Sequence, residues 1–155
     1  MLNRKNHGFT LLEVMIALFV LSVGMLGSTA MILRGQTEAT KTNAEAIAMQ
    51  LSASMAEMMR SNITGVKAGN YNALNSGAVD PGCASTGCTA AEIATYDSAM
   101  WGWMLGEYLP NGNGTISGTG EDSIFTITVN WTETQRTGTD TGVEIIKSHI
   151  MKFQP

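Results

Sequence analysis

FTLLEVMIALFVLSVGMLGSTAMIL, residues 9–33, is a run of 25 residues with a single charge, Glu13. From Val14 to Leu33 it holds 20 uncharged residues. Wound as an α-helix these span about 30 Å, the thickness of a bilayer's hydrocarbon core. Arg4 and Lys5 stand just before the run. The positive-inside rule keeps that end cytoplasmic and places the remainder across the inner membrane. A secretory signal peptide has a shorter apolar region, about 7 to 15 residues. The small pair Ser28 and Ala30 is followed by Met31, Ile32 and Leu33, not by a polar mature start. A plain single-pass anchor leaves Glu13 without a purpose. A carboxylate in a membrane helix costs roughly 2.5 to 3.5 kcal/mol at the centre and less near an end. No base in the same helix reaches it, and Arg4 and Lys5 are two turns or more away. Its partner must come from another molecule.

Lys5-Asn6-His7-Gly8-Phe9-Thr10-Leu11-Leu12-Glu13-Val14 resembles the class III leader and N-terminal methylation motif of type IV pilins and type II secretion pseudopilins. The resemblance implies three parts: a cleaved leader, 1–8; a transmembrane and filament-core helix, 9–33; and a periplasmic globular domain, 34–155. It implies that a prepilin peptidase cuts between Gly8 and Phe9 and methylates the new amine of Phe9. It further implies that Glu13 pairs with such an amine on a neighbouring subunit. Two charges that are each costly in a low-dielectric core attract strongly once brought together. The implied partners are the peptidase, other minor pilins, the major pilin, the inner membrane and the pilus assembly machinery. The chain would be an inner-membrane precursor first and part of a surface pilus afterwards.

Gly24, Gly27 and Gly35 interrupt the helical run. They read either as sites of close helix approach, with Gly24 and Ser28 a small-xxx-small pair, or as tolerated glycines in a membrane helix. Many major pilins carry a helix-kinking proline about twenty residues after the cut. Here Ala30 occupies that region.

The formal net charge is −4, and the part beyond Arg4 and Lys5 carries seven basic residues against thirteen acidic ones. An acidic domain without a basic run argues against direct nucleic-acid binding, which draws its affinity from clustered Lys and Arg. Cys83 and Cys88 lie in CASTGC. A structural metal site needs about four ligands, and neither a second cysteine pair nor a nearby histidine supplies them. A disulfide needs only these two in an oxidising compartment, and is preferred to free thiols. Closing so short a loop contributes about 2 kcal/mol.

Past Arg34 the helix is expected to continue. Ile47, Leu51, Met55 and Met58 recur at helical spacing over residues 38–60, a stripe that would lie on a sheet. Residues 61–88 show little periodicity and read as a long surface connection. Thr89-Ala-Ala-Glu92 matches a capping box and opens a second helix, with Ile93, Tyr96, Met100, Trp103 and Met104 as its expected apolar face. The aromatic residues of that helix read as half-buried packing in preference to a ligand-stacking surface. Thr115–Ser117 is a short strand. In 124–131, Phe125, Ile127, Val129 and Trp131 alternate with Thr126, Thr128 and Asn130, a half-buried strand, and 143–153 forms the last one.

Cys83–Cys88, then Ala94-Thr95-Tyr96-Asp97, Trp103, Leu109-Pro110-Asn111-Gly112 and Val129-Asn130-Trp131 form a pattern similar to minor pilins of the PilV type. The fold expected is α+β, a type IV pilin fold: a long N-terminal helix packed on a C-terminal antiparallel sheet. The function expected is that of a minor type IV pilin, a non-enzymatic subunit taking part in pilus assembly. A minor pseudopilin of a type II secretion system and a pilus-tip adhesin or DNA receptor are the alternatives. Catalytic motifs are missing, and the histidines are His7 and His149. No cofactor or metal is expected. Asn111, Asn113, Glu121 and Asp122 could surround calcium, though turn chemistry explains them more simply.

Overall fold

A computed structural model describes residues 10–83, 87–120, 123–136 and 142–155. Gly8, Phe9, Glu121, Asp122 and residues 137–141 lie outside the described residues. The elements in chain order are α1 (Leu11–Ser61), α2 (Ile63–Lys67), β1 (Ala73–Asn75), α3 (Ala90–Tyr108), β2 (Asn113–Ser117), β3 (Phe125–Arg136) and β4 (Gly142–Phe153). The chain divides after Thr40 into two compact units.

In the first unit α1 is helical from Leu11, and every side chain from Thr10 to Thr40 is exposed. The hydroxyl side chains within the apolar helix satisfy themselves on its backbone. Ser22, Ser28 and Thr29 donate their hydroxyls to the carbonyls of Phe19, Gly24 and Met25 at 2.7, 3.1 and 2.9 Å. A helix destined for lipid needs this, because hydrocarbon offers no alternative partner.

In the second unit the remainder of α1 buries Ala48, Leu51, Ser52, Met55, Ala56 and Met59. The expected stripe is rotated slightly. Leu51 and Met55 are central, Met59 is fully buried, and Ile47 and Met58 pack at the margin. Ser52 joins the buried face because its Oγ donates to the Ala48 carbonyl at 2.8 Å.

The sheet has four strands in the order β1-β2-β3-β4, all neighbours antiparallel. Alternation decides its faces: Phe125, Ile127, Val129 and Trp131 point into the core, joined by Ile116 from β2 and Phe153 from β4. The architecture is a long N-terminal helix on a four-stranded antiparallel sheet, the arrangement of the type IV pilin fold.

Two expectations are corrected. Residues 61–88 are not simply a surface connection. They contain α2 and β1, and they bury Val66 and Tyr71 completely. Asn62 organises this segment by accepting from the Gly65 amide at 3.2 Å while its Nδ2 donates to the Ala90 carbonyl at 2.8 Å and to Tyr71 Oη at 3.0 Å. The second correction concerns α3. Its capping box is present, with the Thr89 amide donating to Glu92 and the Glu92 amide to Thr89 Oγ1. The Thr89 amide and the Thr89 hydroxyl both donate to the exposed Glu92 carboxylate and lower its pKa, the backbone bond most. The buried face, however, is Ala94, Asp97, Ser98, Trp101 and Leu105. Trp103, expected inside, is 60% exposed. Beside the large Trp101 and Leu105 this face carries the small or polar Ala94, Asp97 and Ser98, and α3 comes very close to the chain at Asn75–Ser76, where Ser98 Oγ donates to the Asn75 carbonyl.

Asp97 is buried and accepts a hydrogen bond from Tyr71 Oη. Burial pushes its carboxyl above the usual carboxylate range, and the Tyr71 bond only partly opposes this. Burial also drives the Tyr71 phenol far above its ordinary value, so it stays a donor. A carboxyl whose folded pKa exceeds its unfolded one binds more protons in the folded state. Stability should therefore fall as pH rises from about 3.9, the free Asp value, through the folded pKa. Asp97→Asn keeps the acceptor for Tyr71 and should flatten this slope. The check is the thermal midpoint by near-UV circular dichroism in detergent micelles across that pH range. An unchanged slope in Asp97→Asn would locate its source elsewhere.

Candidate functional site

Glu13 lies in the first turn of α1, where the positive end of the helix dipole favours a carboxylate. Thr10 starts the helix. Its carbonyl and its Oγ1 accept from the Glu13 amide at 3.1 and 3.3 Å. Among the described residues no basic side chain meets the Glu13 carboxylate. Glu13, Val14, Ala17, Leu18 and Leu21 line one shallow surface groove, and Gly24 and Ser28 another with Val20, Leu21, Met25 and Thr29. A Cβ at Gly24, Gly27 or Gly35 would meet nothing within 4 Å. These glycines are thus not required by packing within the chain.

The run from Leu11 to Leu33 includes a stretch long and apolar enough to cross a membrane. Its large side chains are far from buried: Leu11 is 82% exposed and Met31 78%. Such a surface is stable only against lipid or other apolar helices. The sequence-level site residues Gly8 and Phe9 lie outside the described residues, and Glu13 is two residues inside the helix start.

Residues 3–29 match the family model for the prokaryotic N-terminal methylation motif. This chain carries an N-terminal methylation motif. The motif supports a type IV pilin-like or pseudopilin subunit, a structural class and not an enzymatic one, and it implies processing by a prepilin peptidase and membrane anchoring before assembly. It covers most of the expected leader, Glu13 and most of the apolar run, and leaves the second unit untouched. No curated protein and no solved structure matches the chain.

Beyond the methylation motif, Cys83 and Cys88 are joined in a disulfide with Cα atoms 5.5 Å apart. It closes the loop directly before the Thr89 cap of α3. The aromatic residues divide. Trp101 is buried, Tyr96 is half-buried, and Trp103 and Tyr108 are 60% and 55% exposed. Of the Asn residues considered for calcium, Asn111 Nδ2 donates to Thr132 Oγ1 at 3.3 Å and Asn113 Nδ2 to the Asn111 carbonyl at 3.2 Å. Sequence reasoning missed the Asn62–Tyr71–Asp97 chain of hydrogen bonds. Asp97 in the Ala94–Asp97 pattern was its single visible sign.

Proposed function

We propose that this chain is a minor type IV pilin, a subunit that enters a filament or its priming complex after its leader is removed. The observation that carries the reading is the methylation motif overlapping an exposed apolar run, up to Leu33, whose single acid is Glu13. Cleavage between Gly8 and Phe9 creates a cation at the membrane face. Glu13, five residues into the mature chain, offers its counter-charge to the adjoining subunit. Alone, each charge is costly in a low-dielectric surrounding; paired, they fix the axial register of one helix against the next. The PilV-like pattern of the second unit favours a pilus over a secretion system.

Glu13→Val is expected to insert in the membrane as before and to be several-fold depleted from sheared filaments, measured by immunoblot against the membrane pool. N-terminal sequencing of the filament fraction should give methylated Phe9. Undiminished incorporation of Glu13→Val, or a filament form still beginning at Met1, would remove the basis of this reading.

A further inference from the structure

Among the described residues β4 has one neighbour in the sheet, β3, so its other edge is unpaired. The register determines which groups that edge presents. The Gly114 amide donates to Ser76 Oγ and the Gly114 carbonyl accepts from the Ser76 amide, so the even-numbered residues of β2 turn their backbone toward β1. Its odd-numbered residues therefore bond β3 at Thr126, Thr128 and Asn130. Alternation then directs the backbone of Ile127, Val129 and Trp131 to β4, at Met151, His149 and Lys147. The backbone groups left free on the edge are those of Glu144, Ile146, Ser148, Ile150 and Lys152. Their side chains share one face, opposite the core. Ile146 and Ile150 are 79% and 57% exposed, and neither Glu144 nor Lys152 has an ion-pair partner among the described residues.

In order along the strand this row is acid, Ile, Ser, Ile, base, a self-complementary series. We propose that β4 pairs antiparallel with β4 of a second copy about a twofold axis at Ser148. Glu144 then faces Lys152 of the other copy and Ile146 faces Ile150, each pair occurring twice. Every one of these positions has outward backbone groups, so about ten hydrogen bonds form in this register. Charged side chains normally protect an edge strand from such pairing. Here they do so in the adjacent registers, where a slip of two residues sets Glu144 against Ile150 or Lys152 against Ile146. On the other face Val143 meets Phe153 and Ile145 meets Met151. Lys147 opposes His149, the one unfavourable pair, and the exposed Lys147 carries its charge into water on its long stem. An isologous contact of this kind closes at two copies. The axis stands normal to the sheet, so residues 41–61 of α1, packed along it, run in opposite directions in the pair. The contact thus joins copies held on separate supports, not neighbours packed side by side in one membrane or filament. It depends neither on leader cleavage nor on Glu13.

The full chain carrying Ser148→Cys is purified in detergent micelles, where each copy has its own micelle, and treated with a short bis-maleimide. Cys83 and Cys88 are held in their disulfide and do not react. A covalent dimer and nothing larger is expected. Thr115→Cys, exposed on the same face but two strands away, should give several-fold less. Added to Ser148→Cys, either Glu144→Lys or Lys152→Glu should lower the yield several-fold, because each sets like charges opposite. Mixing these two variants should restore it, since acid then meets base at both ends of the pair. Because α1 can hold copies together by itself, the position and charge dependence is the decisive readout. Absence of the dimer from a Ser148→Cys chain with native near-UV circular dichroism overturns the proposal. Equal linking at Thr115→Cys, or a mixture that links no better than its components, overturns it too.

Discussion

Trp101→Ala should lower the stability of the second unit by about 3 to 5 kcal/mol, the range for truncating a fully buried large aromatic side chain. Trp101 is completely buried, and it is the side chain through which three elements meet. From α3 it sends Nε1–H to the Leu51 carbonyl of α1 at 3.1 Å. Its six-membered ring lies over β2 at Gly114, where an added Cβ would come within 2.2 Å of Cη2. Removing the indole would open a cavity at the junction of helix and sheet and leave Gly114 facing an empty space. Since a domain of this size is stable by roughly 5 to 15 kcal/mol, such a loss is a large share of the whole. Trp101→Phe retains most of the apolar volume and forfeits the bond to Leu51, so it should cost less, about 1 to 2 kcal/mol. Urea unfolding in micelles followed by near-UV circular dichroism measures both. A Trp101→Ala midpoint close to the parent's would show that the three elements are held by other contacts.

What could be read from the sequence was what is written in local order. The apolar run needs no tertiary knowledge, nor does the alternation from Phe125 to Trp131, and the Thr89–Glu92 box declares a helix start within four residues. The hidden features all depend on which distant segment comes close. Hydropathy assigned α3's inner face to Ile93, Tyr96, Met100, Trp103 and Met104, of which Met104 does pack against the core, because Ala94, Asp97 and Ser98 are poor hydrophobes. They are inside because small side chains allow the approach to Asn75–Ser76 and because Tyr71 and the Asn75 carbonyl satisfy the polar ones. β1 was invisible for a related reason: three residues give no periodicity, and only pairing with β2 at Leu74 and Ile116 makes them a strand. At the candidate site the position of Glu13 was legible. The partner proposed for it belongs to another subunit, which neither the sequence nor the fold of one chain displays.

That close approach supports the sharpest test of α3 itself. Glycine inside a helix ordinarily costs up to about 1 kcal/mol against alanine, so Gly→Ala should stabilise. Gly106 is such a position, with open space where a Cβ would go, and Gly106→Ala should raise stability by about 0.5 to 1 kcal/mol. Gly102, one turn earlier, should behave in the opposite way. Its added Cβ would stand 1.9 Å from the Ser76 carbonyl oxygen and 2.8 Å from the carbon, backbone atoms that cannot rotate aside. Nor can Ser76 retreat easily: its amide donates to the Gly114 carbonyl at 3.0 Å, and its Oγ accepts from the Gly114 amide at 2.9 Å. Gly102→Ala must therefore push α3 off the chain or break the link to β2, at a cost of about 3 kcal/mol. The two alanine variants should differ in thermal midpoint by roughly 10 °C or more, with opposite signs relative to the parent. If both raised the midpoint, α3 would not lie against Ser76, and the account of its close approach there would have to be abandoned.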